Sequence, residues 1–287
     1  MISYYSGDVV LAARVVPPAS AALVYCDPPF AVQKQFKSRA KEEAEATVAY
    51  DDRWPDLDAY LAWLDARLTV LWSLLRDDGC LILHLDQRAV HDAKVVGDRR
   101  FGRQTFAGEV IWVPGNGAKG KTLPMTHQTL LFWGKNGRVR WNGADETLRE
   151  PYAELSQKMH FSNVDSDGRR YRDRVVGTKT YRYYADVGRA IGSVWSDCPA
   201  MAANTPLRKE STGYPTQKPK SLLRRLVRAT TDPSDLVIDA FSGSGGLLET
   251  CFDEGRSAIG FDIGAASAEI VATRLADAKY AATFGKL

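Results

Sequence analysis

Four runs constrain this chain more than anything else in it. AALVYC at 21–26, CLILHL at 80–85, LVID at 236–239 and AIGF at 258–261 are of strand length and apolar at nearly every position. A strand apolar only on alternate residues can lie on a surface. One apolar throughout has to be covered on both faces, as in a parallel sheet flanked by helices. The intervening stretches supply those helices. Leu57, Tyr60, Leu61, Leu64, Leu68, Leu71 and Leu75 recur at helical spacing, and Asp56, preceded by Pro55, suits an N-cap. Helices are likewise expected over 87–101, 218–231, 246–255 and 265–280, and further strands over 1–8, 108–114 and 127–135. This alternation gives an α/β fold, a mostly parallel sheet with helices on both faces. Residues 31–55 are polar and charged and are expected to form a mobile insertion.

A hydrophobic share of 45% and a charged share of 25% fit a globular protein rather than a disordered one. No run approaches the roughly 20 apolar residues that span a bilayer. The start, MISYYSGDVV, has neither the basic stretch nor the apolar core of a signal peptide. Cys26, Cys80, Cys198 and Cys251 lie far apart, so a zinc cage is not expected, and reduced thiols in a cytoplasmic protein are the simplest reading.

Charge is unevenly spread. Residues 135–232 carry 19 Lys and Arg against 11 Asp and Glu, a local balance of +8 in a chain whose total is +3. Within them, periodicity fades over about 136–212, and GRRYRDRVVGTKTYRYYADVGR interleaves cations with tyrosines. Arg169, Arg170, Arg172, Arg174, Lys179 and Arg182 could neutralise phosphates while Tyr171, Tyr181, Tyr183 and Tyr184 stack on bases; equally, the stretch could be a solvated basic face.

Three breaks between elements carry chemistry. After the first apolar run comes DPPF, Asp27 to Phe30, where two prolines forbid strand and helix alike beside a carboxylate and a ring. VIDAFSGSGG, 237–246, leads a strand into a glycine turn, where Gly243 and Gly245 let backbone approach a ligand closely. A dinucleotide fingerprint would need glycine at 248, where the chain has Leu248. Asp262, at the next strand end, is placed to bind two ribose hydroxyls. In GYPTQKP, 213–219, Thr216 can cap the following helix and Lys218 offers a cation. Residues 115–122, GNGAKGKT, match the P-loop letter for letter, but Pro124 and the apolar run behind it suit a β-turn-β better than a phosphate-binding helix start.

DPPF, YPTQKPKSLL and VIDAFSGSGG…AIGFDI, in that order, resemble the S-adenosylmethionine-dependent DNA amino-methyltransferases of the N4/N6 group, with the catalytic motif ahead of the cofactor motif as in the β-type circular arrangement. The resemblance covers most of the chain. It implies a Rossmann-like methyltransferase fold divided into a catalytic part (1–135), a target-recognition region (136–212) and a cofactor-binding part (213–287). It further implies direct methyl transfer to the exocyclic amine of a flipped-out base. Asp27 and the Pro28 carbonyl would accept the amine's hydrogens, with Pro29 fixing the turn and Phe30 stacking on the base. Asp239, Phe241, Gly243 and Gly245 would contact the methionine part of the cofactor and Asp262 its ribose. Asp8 would lie near its adenine, and Thr216 and Lys218 would hold its carboxylate.

The implied partner is double-stranded DNA, with no membrane; a homodimer and a cognate restriction enzyme both stay open. No metal is implied. Asp at the first motif position favours adenine N6, and cytosine N4 is the alternative. C5 methylation needs a Pro-Cys pair, and the chain has only Cys198-Pro199. A small-molecule or protein methyltransferase and a non-catalytic DNA-binding relative are the more distant readings. His84 and Asp86, at the end of LILHLD, have no matched role.

Overall fold

A computed structural model describes residues 1–38, 47–115, 123–201 and 210–287. In chain order the elements are β1 (Ile2–Ser6), β2 (Ala21–Cys26), β3 (Lys34–Ser38), β4 (Thr47–Asp52), α1 (Leu57–Leu74), β5 (Leu75–Leu85), α2 (Val90–Phe101), β6 (Phe106–Trp112), β7 (Gln128–Gly134), β8 (Arg149–Glu150), α3 (Glu154–His160), β9 (Asn163–Val164), β10 (Arg170–Val176), β11 (Lys179–Tyr184), β12 (Arg189–Ala190), β13 (Val194–Trp195), α4 (Lys220–Thr230), β14 (Leu236–Asp239), α5 (Gly246–Asp253), β15 (Ser257–Asp262), α6 (Ala265–Asp277) and β16 (Ala282–Lys286). They fall into two compact units, one of residues 1–141 with 193–287 and one of residues 142–192.

The larger unit is built on a sheet in the order β13-β6-β7-β5-β2-β14-β15-β1-β16. Every neighbouring pair is parallel except those made by β7, so β7 alone runs against the rest. All six residues of β2 are buried because both of its faces are covered. Val24 and Cys26 point into a core with Leu64, Leu68 and Leu71 of α1 and Ala93 of α2. Leu23 and Tyr25 point the other way, where α4 packs on β2 and α5 on β14 and β15. Asp56 does cap α1, its carboxylate accepting the Ala59 N–H at 2.7 Å. This is the Rossmann-like methyltransferase architecture, a mostly parallel sheet between helical layers.

The polar segment 31–55 is more regular than its composition suggests. β3 and β4 form an antiparallel hairpin, with Phe36 stacked on Tyr50 at a centroid distance of 4.7 Å. The strands flanking the P-loop look-alike, β6 and β7, pair antiparallel as expected, while residues 116–122 themselves lie outside the described residues. No helix among the described residues is long and apolar enough to cross a membrane.

The smaller unit, described by itself, has a three-stranded antiparallel sheet in the order β11-β10-β9, the short pair β8 and β12, and α3. Phe161 is fully buried beneath it.

Candidate active site

Because eight strands point one way, β5, β2, β14, β15 and β1 end side by side on one edge of the sheet. The sequence sets an acid at or just past each end: Asp86, Asp27, Asp239, Asp262 and Asp8. Chain order reverses across the sheet at β2 and β14, and such a switch point opens a crevice beyond the strand ends. A cavity of about 470 Å³ lies there, well within the size of small-molecule sites. Asp8, Asp27, Pro28, Pro29, Phe30, Thr216, Lys218, Asp239, Phe241, Gly243 and Asp262 all line it, although up to 254 residues separate them in the chain. Gly245 does not. It is the left-handed N-cap of α5, where a Cβ would stand 2.9 Å from Val271.

The glycine turn is held at both ends. Asp262 accepts the Gly243 N–H at 2.8 Å through one carboxylate oxygen and the Gly264 N–H at 2.7 Å through the other. Tyr4 donates to Ser267, and Ser267 donates to the Gly243 carbonyl at 2.6 Å. Gly243 itself has φ of +50°, and a Cβ there would meet the Tyr214 ring at 3.0 Å. The turn therefore offers a fixed backbone ledge that side chains cannot fill.

Asp27 does not stand alone. Lys218 Nζ donates to both its oxygens, at 2.8 and 2.6 Å, with the lysine side chain only 8% exposed. Burial raises the Asp27 carboxyl above its ordinary value and Lys218 pulls it back down. One lone pair on each oxygen remains for another donor. Phe30 lies below, its ring centroid 5.1 Å from Nζ. Asp239 is pushed up to about 8 by burial first, then by the charges of Asp27 and Asp262, and Asp262 is raised by burial. An edge this rich in costly negative charge is suited to a cationic ligand.

Replacing Lys218 by methionine should expose this coupling. Without the ammonium only burial acts on Asp27, so its carboxyl rises further. The acid limb of any rate that needs it ionised should move up by about 1–3 pH units. A pH profile of kcat/KM checks this, and an unmoved limb would contradict it.

Two aromatic groups border the cavity, with all members but the buried Tyr60 lining it. Trp54, Tyr60, Trp63 and Phe241 form one cluster, with Trp63 and Phe241 centroids 5.7 Å apart and the Arg67 guanidinium 4.0 Å over Trp63. Phe36, Tyr50 and Tyr214 form the other. Of these, Phe241 and Tyr214 fall within sequence motifs, VIDAFSGSGG and GYPTQKP. The D-x-W at 52–54, ahead of a helix start, is the available signal for the rest.

One expectation needs correction. Thr216 does not cap α4: its hydroxyl lies 3.1 Å from the Tyr50 hydroxyl, and the Glu210 carboxylate takes the Lys220 N–H at 3.1 Å instead. Asp8 lines the cavity with its carboxylate accepting the Val10 N–H at 3.0 Å and pairing with Arg67. His84 is buried behind the clamp, its Nδ1 2.7 Å from the Tyr25 hydroxyl, and burial drives it well below its ordinary pKa, so it is neutral. Asp86 accepts the Arg88 N–H at 2.9 Å and so shapes the turn into α2.

The basic stretch of the smaller unit is not uniformly free charge. Arg182 pairs with Asp173 at 2.9 Å and lies 3.8 Å over Tyr171; Arg169 pairs with Asp186 and lies 4.0 Å over Tyr184. Arg170 donates to the Phe161 and Gln157 carbonyls at the end of α3. Arg172 sits among Tyr152, Phe161 and Tyr183. Arg174 and Lys179, exposed toward the end of the β10–β11 hairpin, have no ion pair among the described residues.

Comparison with known proteins adds a family and a fold. The model of a DNA methylase family of the N6/N4 type matches residues 21–273. The type II methyltransferase M.EcaI of Enterobacter cloacae is 27% identical over 91% of this chain, which spans 66% of that protein's length. The DNA adenine methyltransferase YhdJ of Escherichia coli K12 is 22% identical over 90% of the chain and 76% of its own length. Among solved structures, the cytosine-N4-specific PvuII DNA methyltransferase shares the fold, with a TM-score of 0.61 at 17% identity over 95% of this chain and 86% of that one.

Proposed function

Because the chain belongs to the DNA methylase family of the N6/N4 type, we propose that it transfers a methyl group from S-adenosylmethionine to the exocyclic amino group of a flipped-out DNA base, adenine N6 in preference to cytosine N4. The observation that carries this reading is the convergence of Asp27, Asp239 and Asp262, from three adjacent parallel strand ends, on one cavity beside a glycine ledge.

The residues present fit the cofactor. Asp262 can accept two ribose hydroxyls with the lone pairs its backbone donors leave, and Asp239 with Phe241 and Trp63 offers a carboxylate and ring faces to a sulfonium. When bound, S-adenosylmethionine supplies an electrophilic methyl group on that sulfonium. The chain's own part is to prepare the acceptor. An aromatic amine is a poor nucleophile because its lone pair is delocalised into the ring. Hydrogen bonds from the amine to Asp27 and to the Pro28 carbonyl draw its nitrogen toward tetrahedral geometry and stabilise the positive charge that grows there. The Pro29 carbonyl already accepts the Tyr60 hydroxyl at 2.8 Å, which leaves this role to Pro28. Phe30 gives the base a face to stack on. The displaced proton leaves the nitrogen toward Asp27 and then water.

An Asp at the head of the clamp supports adenine, the base named for YhdJ; the PvuII relative keeps cytosine N4 as the second reading. The catalytic motif ahead of the glycine turn supports the β-type order. Duplex DNA is the proposed partner, with residues 136–212 as the recognition region. There, Arg174→Ala with Lys179→Ala should weaken DNA binding and lower the slope of log K against log salt by about 0.9 for each phosphate that is no longer neutralised. An unchanged slope in a filter-binding titration would contradict that assignment. Mass spectrometry of nucleosides from treated DNA tests the choice of base: N6-methyladenine is expected, and N4-methylcytosine would overturn that choice alone.

A further inference from the structure

The segment after the clamp prolines takes a costly path. Ala31 and Gln33 have φ of 56° and 60°, the left-handed region that side chains disfavour, and neither is glycine. Something has to hold such a path. Three successive amides converge on one carboxylate: Phe30 N–H to Asp52 Oδ2 at 3.1 Å, Ala31 N–H to Oδ1 at 2.9 Å and Val32 N–H to Oδ2 at 2.9 Å. The Trp54 indole N–H completes the set, at 2.9 Å from Oδ1. Asp52 is fully buried, and no Lys or Arg among the described residues pairs with it, so these four donors alone satisfy its charge. Successive N–H groups curled around an anion form a nest, here closed by the protein's own side chain. Two further bonds tie the same loop to β4 and its exit, Gln33 N–H to the Asp52 carbonyl at 3.0 Å and Trp54 N–H to the Gln33 side chain at 2.9 Å.

We propose that Asp52 is a positioning residue for methyl transfer: its carboxylate clasps the backbone of Phe30 to Val32 and thereby fixes the Phe30 ring and the Pro28 carbonyl against the incoming base. Asp52 touches neither the base nor the cofactor in this assignment; it acts through the clamp. The hairpin of β3 and β4 has a task beyond walling the cavity, since it delivers this anion. The consequence for catalysis rests on the proposed function, whereas the clasp itself does not.

Asp52→Asn keeps the size of the side chain but replaces one acceptor oxygen with an NH2 group, so the loop loses partners on one side of the nest. Misplacement by about 1 Å can cost on the order of 10²-fold in rate. The single-turnover rate at saturating S-adenosylmethionine and DNA should fall about 10- to 100-fold, on that same ground, with the cofactor dissociation constant nearly unchanged. A general loss of structure would move both together. Amide hydrogen exchange of the wild-type protein gives a second reading that needs neither the variant nor turnover: Phe30, Ala31 and Val32 should be protected, and should lose that protection in Asp52→Asn. The inference is overturned if those amides exchange freely in the wild type, or if an active wild type and Asp52→Asn turn over alike. A wild type that protects these amides yet methylates no DNA would sink the proposed function while leaving the clasp standing.

Discussion

Asp27→Asn is expected to slow methyl transfer by about 10²–10³-fold, the usual loss when one group aimed at developing charge is removed, while S-adenosylmethionine still binds. The amide keeps the shape of the side chain and one acceptor oxygen, but not the negative charge that stabilises an amine turning cationic. The change also strands Lys218, whose ammonium then lies buried with a neutral partner. Breaking a buried pair on one side costs about 3–5 kcal/mol, so the melting temperature should fall as well. Adding Lys218→Met should recover part of that stability and none of the rate. Single-turnover kinetics beside thermal melting separates the two effects. A variant that melts early yet transfers methyl at the wild-type rate would remove Asp27 from the chemistry.

The second large effect concerns pH. Asp239 is held protonated up to about 8 in the folded protein by burial and by Asp27 and Asp262, whereas an unfolded Asp titrates near ~3.9. Between those values the folded state binds a proton that the unfolded state has released. This contribution to stability is complete below the unfolded value and is lost as pH climbs to the folded one, at about 1.4 kcal/mol per pH unit. Asp27 and Asp262, also raised, act with the same sign. Urea unfolding at pH 5, 6.5 and 8 should therefore show stability falling by a few kcal/mol across the window, and Asp239→Asn should flatten much of that slope. A cationic cofactor beside Asp239 favours the ionised acid, so its affinity should tighten over the same range in the wild type only. A wild type whose stability is level or rising from pH 5 to 8 would contradict this picture of the acid edge.

Much of this edge is legible in the sequence because strand ends are. A run such as AALVYC has to be a doubly covered strand, so the residue after it has to sit at the sheet's rim; the same holds for Asp239 and Asp262. What is not legible is pairing across the chain. Nothing local in YPTQKP shows that Lys218 ends on a carboxylate 191 residues away. Thr216 reads as a cap because threonine is favoured just before a helix, yet Glu210, ten residues ahead of Lys220, takes that role. The β3–β4 hairpin is hidden by its charge: KQFKS and TVAYDD alternate too briefly to stand out, and their register shifts between Phe36 and Lys37. Asp52 is hidden with it, since a buried aspartate satisfied by backbone amides looks in sequence like any polar loop residue. β16 escapes notice for a similar reason, being a half-exposed edge strand without an apolar run. In the smaller unit the composition gives the cations but not their partners, and Asp173 and Asp186 neutralise two of them.

The most direct test of the account follows a tritiated methyl group from S-adenosylmethionine into unmethylated duplex DNA, with the wild-type protein and Asp27→Asn side by side. Label is expected in the DNA, with none covalently held by the protein, and nearly all DNA label should be lost with Asp27→Asn although the cofactor still binds. DNA left unlabelled by a wild-type protein that binds the cofactor, or label transferred equally well without the Asp27 carboxylate, would contradict it.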